Sequence, residues 1–136
     1  MGIAQEILNK LGPSEQEKLL KALREKDAIL AKKLDEGRLT IEDLAYLRPE
    51  MLAKLLQKID ARDLGLSLRL ASGELRKYVL ENVSKGSRAD LEEMLNGPPQ
   101  AVSEIEKSLQ KILMVLKAMI EKGDVYLDKG GDDPVI

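Results

Sequence analysis

Hydrophobic residues recur along most of this chain at spacings of three and four, which is the period of an amphipathic α-helix. The longest such pattern covers residues 101–121 and predicts one helix of about six turns. Its apolar positions are Val102, Ile105, Leu109, Ile112, Leu116 and Met119. The alternation that is typical of strands is nearly absent. The pattern therefore predicts an all-α fold.

Capping residues and helix breakers divide the earlier part of the chain into short helices. Residues 14–17 have capping-box spacing, in which the Ser14 hydroxyl accepts from one free amide and the Glu17 carboxylate accepts from another, so a helix should begin at Ser14. Lys26-Asp27 predicts a break between two helices, and Gly37 predicts an end. Further starts are predicted at Thr40, at Pro49, at Asp60 or Asp63, and at the turn Ser72-Gly73-Glu74.

Turn-forming residues also separate the last helices. We expect residues 84–87 to form a loop and residues 89–95 to form a short helix, which the run Asn96-Gly97-Pro98-Pro99 would end. Gly123 should end the long helix. Beyond it, residues 125–127 are expected to be extended and residues 128–136 to form a flexible tail.

Several segments share a layout of roughly twenty residues, with a capping residue, a helix carrying leucine pairs and a short polar turn. The segments that begin at Ile7 and at Leu44 illustrate this similarity. Such weak internal repetition favours an armadillo-like, right-handed stack of short helices. Aromatic residues make up only 2% of the chain, so the core must be aliphatic.

The composition narrows the classes of function. The chain has no Cys and no His, which removes disulfides, Cys/His zinc sites and an imidazole partner for a nucleophile. Its 22 basic and 24 acidic residues give a net charge of -2, so no basic field exists for nucleic acid. Residues 112–116 are the most apolar segment and are too short to span a membrane, and the N-terminus does not resemble a signal peptide. We expect no enzyme activity, cofactor, metal, small-molecule substrate or nucleic-acid partner.

Paired carboxylates are the remaining candidates for chemistry. They occur at Glu42-Asp43, Glu92-Glu93 and Asp132-Asp133, and such pairs can hold magnesium or transfer protons. They are equally typical of a helix start, a solvated helix face and a tail. We favour these structural interpretations because ordinary surface composition supplies such pairs.

A second charged feature covers residues 62–93, where both signs are mixed. Basic residues alternate there with acidic ones, including Arg62, Asp63, Arg69, Glu74, Arg76, Lys77, Glu81, Lys85, Arg88, Asp90, Glu92 and Glu93. Taken alone, this mosaic is typical of a solvated surface with intrahelical ion pairs.

Short motifs from residue 4 to residue 127 carry a family resemblance. They are Ala4-Gln5-Glu6-Ile7-Leu8-Asn9, Arg38-Leu39-Thr40-Ile41-Glu42-Asp43-Leu44, Leu55-Leu56-Gln57-Lys58-Ile59-Asp60-Ala61-Arg62-Asp63-Leu64, Leu68-Arg69-Leu70-Ala71-Ser72-Gly73-Glu74-Leu75-Arg76, Asn82-Val83-Ser84-Lys85, Gly97-Pro98-Pro99 and Lys122-Gly123-Asp124-Val125-Tyr126-Leu127. In order, they resemble A-x-E-I-L-N, M-F-x-F-E-D-hydrophobic, L-x-R-E-V-D-x-x-D-L, L-K-G-A-S-E-E-L-R, N-M-S-K, G-P-V and x-G-E-[IV]-V-I of the flagellar motor switch protein FliG.

The resemblance implies the end of an armadillo-like subdomain over residues 1–37 and a six-helix, stator-facing subdomain over residues 38–127. A hinge at Leu39, Thr40 and Ile41 would join them. It implies a rotor component at the cytoplasmic face of the flagellar basal body, with only indirect contact to the membrane. The parts of FliG that precede the C-terminal region have no counterpart in this sequence.

The resemblance also implies a charged surface that meets opposite charges on the cytoplasmic loop of a MotA-like stator and transmits torque and rotation direction. We call its residues the charged ridge, and they are Arg69, Arg76, Lys85, Arg88, Glu92 and Glu93. Other FliG or FliM copies would bind through armadillo-like surfaces.

A second hypothesis is a FliG-like scaffold or regulatory module that generates no torque. An apolar groove would then bind a helix or a second copy. Its candidate residues are Leu19, Leu23, Ile29 and Leu30.

Overall fold

The structure is a computed structural model that describes residues 2–129. Within those residues eight α-helices and two 3₁₀ helices occur and no strand does, which confirms the all-α prediction. The α-helices are α1 Ile3–Lys10, α2 Pro13–Lys26, α3 Ala28–Glu36, α4 Pro49–Leu56, α5 Ala61–Ser67, α6 Gly73–Glu81, α7 Lys85–Leu95 and α8 Val102–Glu121. The first 3₁₀ helix is Ile41–Tyr46 and the second is Leu68–Leu70.

Most helix starts lie where capping residues predict them. Asp27 accepts a hydrogen bond from the Leu30 amide and begins α3 directly after α2 ends, which confirms the break at Lys26-Asp27. Thr40 and Asp43 form a capping box that begins the first 3₁₀ helix. The Asp60 side chain accepts from the amide of residue 62 and caps α5, and the Ser72 side chain accepts from the amide of residue 75 and caps α6.

The predicted capping box at residues 14–17 is wrong. Helix α2 begins at Pro13 with Gly12 as its N-cap, so Ser14 already lies inside the first turn. Proline suits that position because it lacks the amide that would be unpaired there. The Ser14 amide and hydroxyl instead donate to Glu106 of α8, at 3.0 and 2.9 Å.

The predicted loop at residues 84–87 is also wrong. The Ser84 hydroxyl accepts from the Ser87 amide at 3.2 Å, so Ser84 is the N-cap and the next three residues form the first turn of α7. The helix therefore begins at Lys85, earlier than the predicted start at residue 89.

Residues 125–127, predicted to be extended, belong to no helix or strand. Val125 is buried in the core. The Asp128 amide donates to the Tyr46 carbonyl at 2.7 Å, and the Asp128 carboxylate pairs with Arg48 at 3.0 Å and raises the pKa of its guanidinium. The start of the predicted tail is thus held against the fold, and residues 130–136 lie outside the described residues.

Buried side chains form two separate clusters. The larger one extends from Ile41 to Val125 and has Leu44, Leu52, Leu64 and Ile112 among its members. The smaller one joins α1, α2 and α3 through Leu8, Leu20 and Leu34. Each buried leucine contributes about 1.5–3 kcal/mol relative to an exposed one, so the second cluster stabilises its helices much less. We call α1–α3 the N-terminal helices and residues 41–129 the C-terminal helices.

Two buried glutamines supplement the small cluster. The Gln5 side-chain amide donates to the Leu34 carbonyl at 3.1 Å, and that of Gln16 donates to the Leu8 carbonyl at 2.9 Å. These carbonyls belong to the last turns of α3 and α1, where i+4 amide donors run out, and the Leu8 carbonyl also accepts from the Leu11 amide at 3.1 Å. The two glutamines therefore connect neighbouring helices, and their own buried amide groups have hydrogen-bond partners.

Helix α5 is the centre of the larger cluster. Its residues Leu64, Gly65, Leu66 and Ser67 are all buried, and it packs against both α7 and α8. A Cβ atom at Gly65 would lie 2.6 Å from the Met94 Cβ and 2.9 Å from the Leu91 carbonyl oxygen. Only glycine allows α5 and α7 to approach this closely.

We expect Gly65→Ala to lower the free energy of unfolding by about 1–3 kcal/mol, because the added methyl group must push α7 away from α5. Urea denaturation of the purified chain measures this change. Gly86→Ala is the control, since a Cβ atom there meets nothing within 4 Å, and it should raise stability by about 0.4–1 kcal/mol. Equal stability of Gly65→Ala and the parent protein would contradict the close approach.

Candidate functional site

The charged ridge is distributed over three helical elements. Arg69 lies on the second 3₁₀ helix and Arg76 on α6, and the remaining four residues lie on α7. Helix α7 buries Leu91 against the core and turns its charged residues outward. The two arginines and the four α7 residues differ in what their side chains contact.

Arg69 is bound to the end of α7. Its Nε and Nη2 atoms donate to the Met94 carbonyl at 3.2 and 2.6 Å, and its Nη1 donates to the Pro98 carbonyl at 2.9 Å. The Met94 carbonyl is in the last turn of α7, where it has no intrahelical donor and where a cation complements the helix dipole. The guanidinium group therefore caps α7 and is half-buried.

Arg76 donates hydrogen bonds to carbonyls in and just after the second 3₁₀ helix. Its Nε donates to the Leu68 carbonyl at 2.8 Å and its Nη2 donates to the Ala71 carbonyl at 3.0 Å. These contacts hold the start of α6 against the preceding turn. Arg76 is also half-buried. Both arginines therefore donate hydrogen bonds mainly to backbone carbonyls of this domain.

The α7 residues of the ridge face solvent. Lys85, Arg88 and Glu92 are spaced by three and four positions and so form one stripe on the helix, with Glu93 beside it. Arg88 and Glu92 form an ion pair at 3.0 Å with half of each side chain still exposed. Lys85 and Glu93 are exposed and make no hydrogen bond or ion pair within residues 2–129. This stripe is the part of the ridge available to another molecule.

Leu39, Thr40 and Ile41, the residues predicted to form a hinge, follow α3 and lead into the first 3₁₀ helix. Leu39 packs against the larger cluster, and Ile41 is a member of it with only 5% of its surface exposed. The Thr40 amide donates to Asp43 at 2.9 Å. Arg38, just before them, pairs with Glu17 of α2 at 2.7 Å. Arg38 therefore contacts the N-terminal helices, whereas Thr40 and Ile41 contact the C-terminal helices.

Three of the candidate carboxylates have structural partners. Glu42 accepts from the Ser72 amide and hydroxyl, both at 2.7 Å, Asp43 completes the capping box, and Glu92 pairs with Arg88. Asp132-Asp133 lies outside the described residues. Over residues 2–129, no cluster of three or more acidic side chains has the arrangement of a metal site.

Among the helices of residues 2–129, none is both long enough and apolar enough to cross a membrane.

Sequence reasoning missed the carbonyl partners of Arg69 and Arg76, and also the contact between Ser14 and Glu106. The helix-breaking run at residues 96–99 does signal a helix end with unpaired carbonyls. It does not signal which distant side chain reaches them.

The fold and this site define a class of protein, an all-α domain whose exposed α7 face carries charges of both signs. The family described as FliG C-terminal domain matches residues 21–127 of the chain. The chain therefore belongs to the FliG C-terminal domain family.

Similar proteins and structures agree with this assignment. The flagellar motor switch protein FliG of Thermotoga maritima is 30% identical over 135 residues, which are 98% of this chain and 40% of that protein. FliG of Vibrio cholerae is 30% identical over 134 residues, which are 96% of this chain and 38% of that protein. A crystal structure of FliG residues 86–343 from H. pylori superposes with a TM-score of 0.70 at 26% identity, covering 90% of this chain and 58% of that one. The chain thus spans about 40% of the length of these FliG relatives.

We expect Arg69→Ala to lower the free energy of unfolding by about 1–2 kcal/mol, because it leaves the Met94 and Pro98 carbonyls without their charged donor. Chemical denaturation measures the change. The control is Lys85→Ala, which removes an exposed cation of the same ridge and should alter stability by less than about 0.5 kcal/mol. If the two variants were equally stable, Arg69 would have no capping role.

Proposed function

We propose that the chain is a component of the flagellar motor switch at the cytoplasmic face of the basal body. In this proposal the α7 stripe meets a MotA-like stator loop and transmits torque and rotation direction. The observation that carries it is the exposed stripe of Lys85, Arg88 and Glu92, with Glu93 beside it, in a chain of the FliG C-terminal domain family. The function is mechanical, and the proposal includes no catalytic step.

Surface charges suit a contact that must form and break repeatedly. Their attraction acts over roughly 8 Å at physiological salt without close packing, and exposed ion pairs are individually weak. Electrostatic complementarity also fixes the partner and its register. A rotor surface that passes successive stators needs both properties.

The proposal gives different roles to the six ridge residues, because their contacts within the fold differ. Lys85, Arg88 and Glu93 carry the interaction because they are exposed, with Glu92 setting the position of Arg88. Arg69 and Arg76 act indirectly, since their guanidinium groups hold the end of α7 and the start of α6. If these two arginines were substituted, an effect on function could result either from the lost charge or from the lost structural contacts.

We expect the double variant Lys85→Glu with Arg88→Glu to abolish swimming in the source organism while filaments still assemble. The first of these substitutions places an acid in the first turn of α7, where the helix dipole favours it by about 0.3–1 kcal/mol. The second replaces the exposed Arg88–Glu92 pair by two like charges, which costs a similar amount of about 0.2–0.5 kcal/mol, so the domain should stay folded and lost motility would have an electrostatic cause. Swimming assays and electron microscopy of filaments are the measurements.

The matched control is Lys111→Glu, which reverses an exposed cation on α8 and should leave swimming intact. A second variant exchanges Arg88→Glu with Glu92→Arg, which keeps the net charge and an oppositely charged pair at the same two positions. It should fold normally and still impair swimming. Normal swimming of the Lys85/Arg88 double variant would overturn torque transmission through this stripe.

Exposed aliphatic residues favour a second candidate, a scaffold that generates no torque. Ile29 is 74% exposed, Leu19 39% and Leu30 37%, whereas Leu23 packs against the smaller cluster. On α1, Ile3 and Ile7 are also exposed. The N-terminal helices therefore present apolar surface that other FliG or FliM copies would cover by armadillo-like stacking.

Ile29→Glu tests this scaffold role. The side chain is already exposed, so the substitution should not change folding, and it should prevent incorporation of a fluorescently tagged protein into rotor foci. Lys111→Glu, which reverses an exposed cation on α8, serves as control and should incorporate normally. If Ile29→Glu foci matched those of the control, the apolar surface would have no assembly role.

A further inference from the structure

The chain reverses direction after α8 and crosses back over the C-terminal helices. Gly123 has a φ of 80°, in the left-handed region that glycine adopts without a steric penalty. Its amide donates to the Ile120 carbonyl at 3.0 Å, and the Asp124 amide donates to the Met119 carbonyl at 2.9 Å. This pair of bonds is the Schellman motif, which ends the helix and turns the chain. We call residues 124–129 the strap.

One apolar side chain holds the strap to the core. Val125 is only 2% exposed and is a member of the larger cluster. Its neighbours Asp124 and Tyr126 are exposed. By comparison, α4, α5 and α8 each bury at least three residues. The strap is therefore attached to the core by much less buried apolar surface than the helices around it.

The far end of the strap is held by polar contacts. The Asp128 amide donates to the Tyr46 carbonyl at 2.7 Å, and the Asp128 carboxylate pairs with Arg48 Nη2 at 3.0 Å. The Arg48 guanidinium lies 6.0 Å from the centre of the Tyr126 ring, and Lys129 Nζ lies 5.2 Å from that of Tyr46. The charged side chains are about half exposed. Contacts of these kinds are individually weak at exposed sites.

The middle of the strap is loosely packed. The Tyr126 amide donates to the Met51 sulfur at 3.4 Å, and a thioether is a weak acceptor. A cavity of about 320 Å³ borders Tyr126 and Leu127, with Leu39 and Ile120 on its other walls. Folded interiors leave few voids of this size. Neither the backbone nor the packing therefore fixes the strap firmly between its two ends.

The start of the strap is a suitable pivot. Glycine tolerates a wide range of backbone angles, and even a Cβ atom at Gly123 would meet nothing within 4 Å. A change of backbone angle there moves the strap and leaves the buried residues of α8 in place.

We propose that the strap opens and closes as one unit about Gly123 while all the helices stay folded, and that Arg48 is the clasp that keeps it closed. The hydrogen bond, ion pair and ring contact of the Arg48 side chain all go to strap residues, Asp128 and Tyr126. Opening exposes Val125 and the side of α4 beneath it. Because salt screens exposed charges, the closed state weakens as ionic strength rises. This inference does not depend on the proposed rotor role.

Thiol labelling tests the strap because the chain contains no cysteine. Val125→Cys places a reporter on the strap. Val79→Cys makes the same change on α6, at another buried position of the same cluster. With an uncharged maleimide at low concentration, and with each rate divided by that of the urea-unfolded chain, Val125→Cys should label at least about tenfold faster, because local opening costs less than unfolding. Equal corrected rates would overturn the strap.

A core variant separates strap opening from unfolding. Gly65→Ala destabilises the packing of α5 against α7, which the open state retains, so it should speed Val79→Cys labelling and leave Val125→Cys labelling unchanged. Low concentrations of urea should act in the same way, because strap opening exposes little surface. If Gly65→Ala accelerated both reporters equally, Val125 would be exposed only by unfolding of the whole domain, and the proposal would be wrong.

The clasp has its own test in the Val125→Cys background. Arg48→Ala should raise the labelling rate roughly threefold to tenfold, the range expected from one exposed ion pair and one cation–π contact. Arg62→Ala is the matched control, since it removes an exposed arginine on α5 that has no hydrogen bond or ion pair to the strap within residues 2–129. Equal rates for Arg48→Ala and Arg62→Ala would exclude Arg48 as the clasp.

Salt provides an independent readout of the same charges. An increase from 0.1 M to 1 M salt shortens the screening length from about 10 Å to about 3 Å and should speed Val125→Cys labelling roughly twofold to threefold. The increase should be smaller in Arg48→Ala, which has already lost the ion pair to Asp128. A rate that does not change with salt, or that rises equally with and without Arg48, would contradict a charged clasp.

Discussion

The close approach of α5 and α7 at Gly65 is the constraint on which the charged face depends. It brings the backbone of α7 against the central helix and so inserts Leu91 into the core. The same approach places the last turn of α7 within reach of Arg69, which lies directly after α5. The orientation of the exposed stripe on α7 is therefore set by packing on its opposite side.

Short helices explain why side chains from distant elements cap so many helix ends. Most helices here are shorter than the length at which an isolated helix is stable, so the unpaired groups at their ends matter more. The capping side chains come from neighbouring helices and join the fold together as they do so. The pairs are Gln5 with Leu34, Gln16 with Leu8, Arg69 with Met94, Glu42 with Ser72 and Glu106 with Ser14.

The charged residues therefore fall into two groups with different roles. Charges that reach a helix end, such as Arg69 and Arg76, stabilise the scaffold, and charges that do not, such as Lys85 and Glu93, remain on the surface. Glu106 belongs to the first kind but joins helices whose other contacts are few.

The sequence by itself determined the all-α class, the long last helix, the break at Asp27 and the resemblance to FliG. These features depend on local periodicity, on capping chemistry and on motif order, all of which are read along one stretch of chain. Only the tertiary structure decided that Ser14 bonds to Glu106 and that Arg69 caps α7. These contacts join residues 92 and 25 positions apart, and helix-end groups accept any suitable partner that packing brings near.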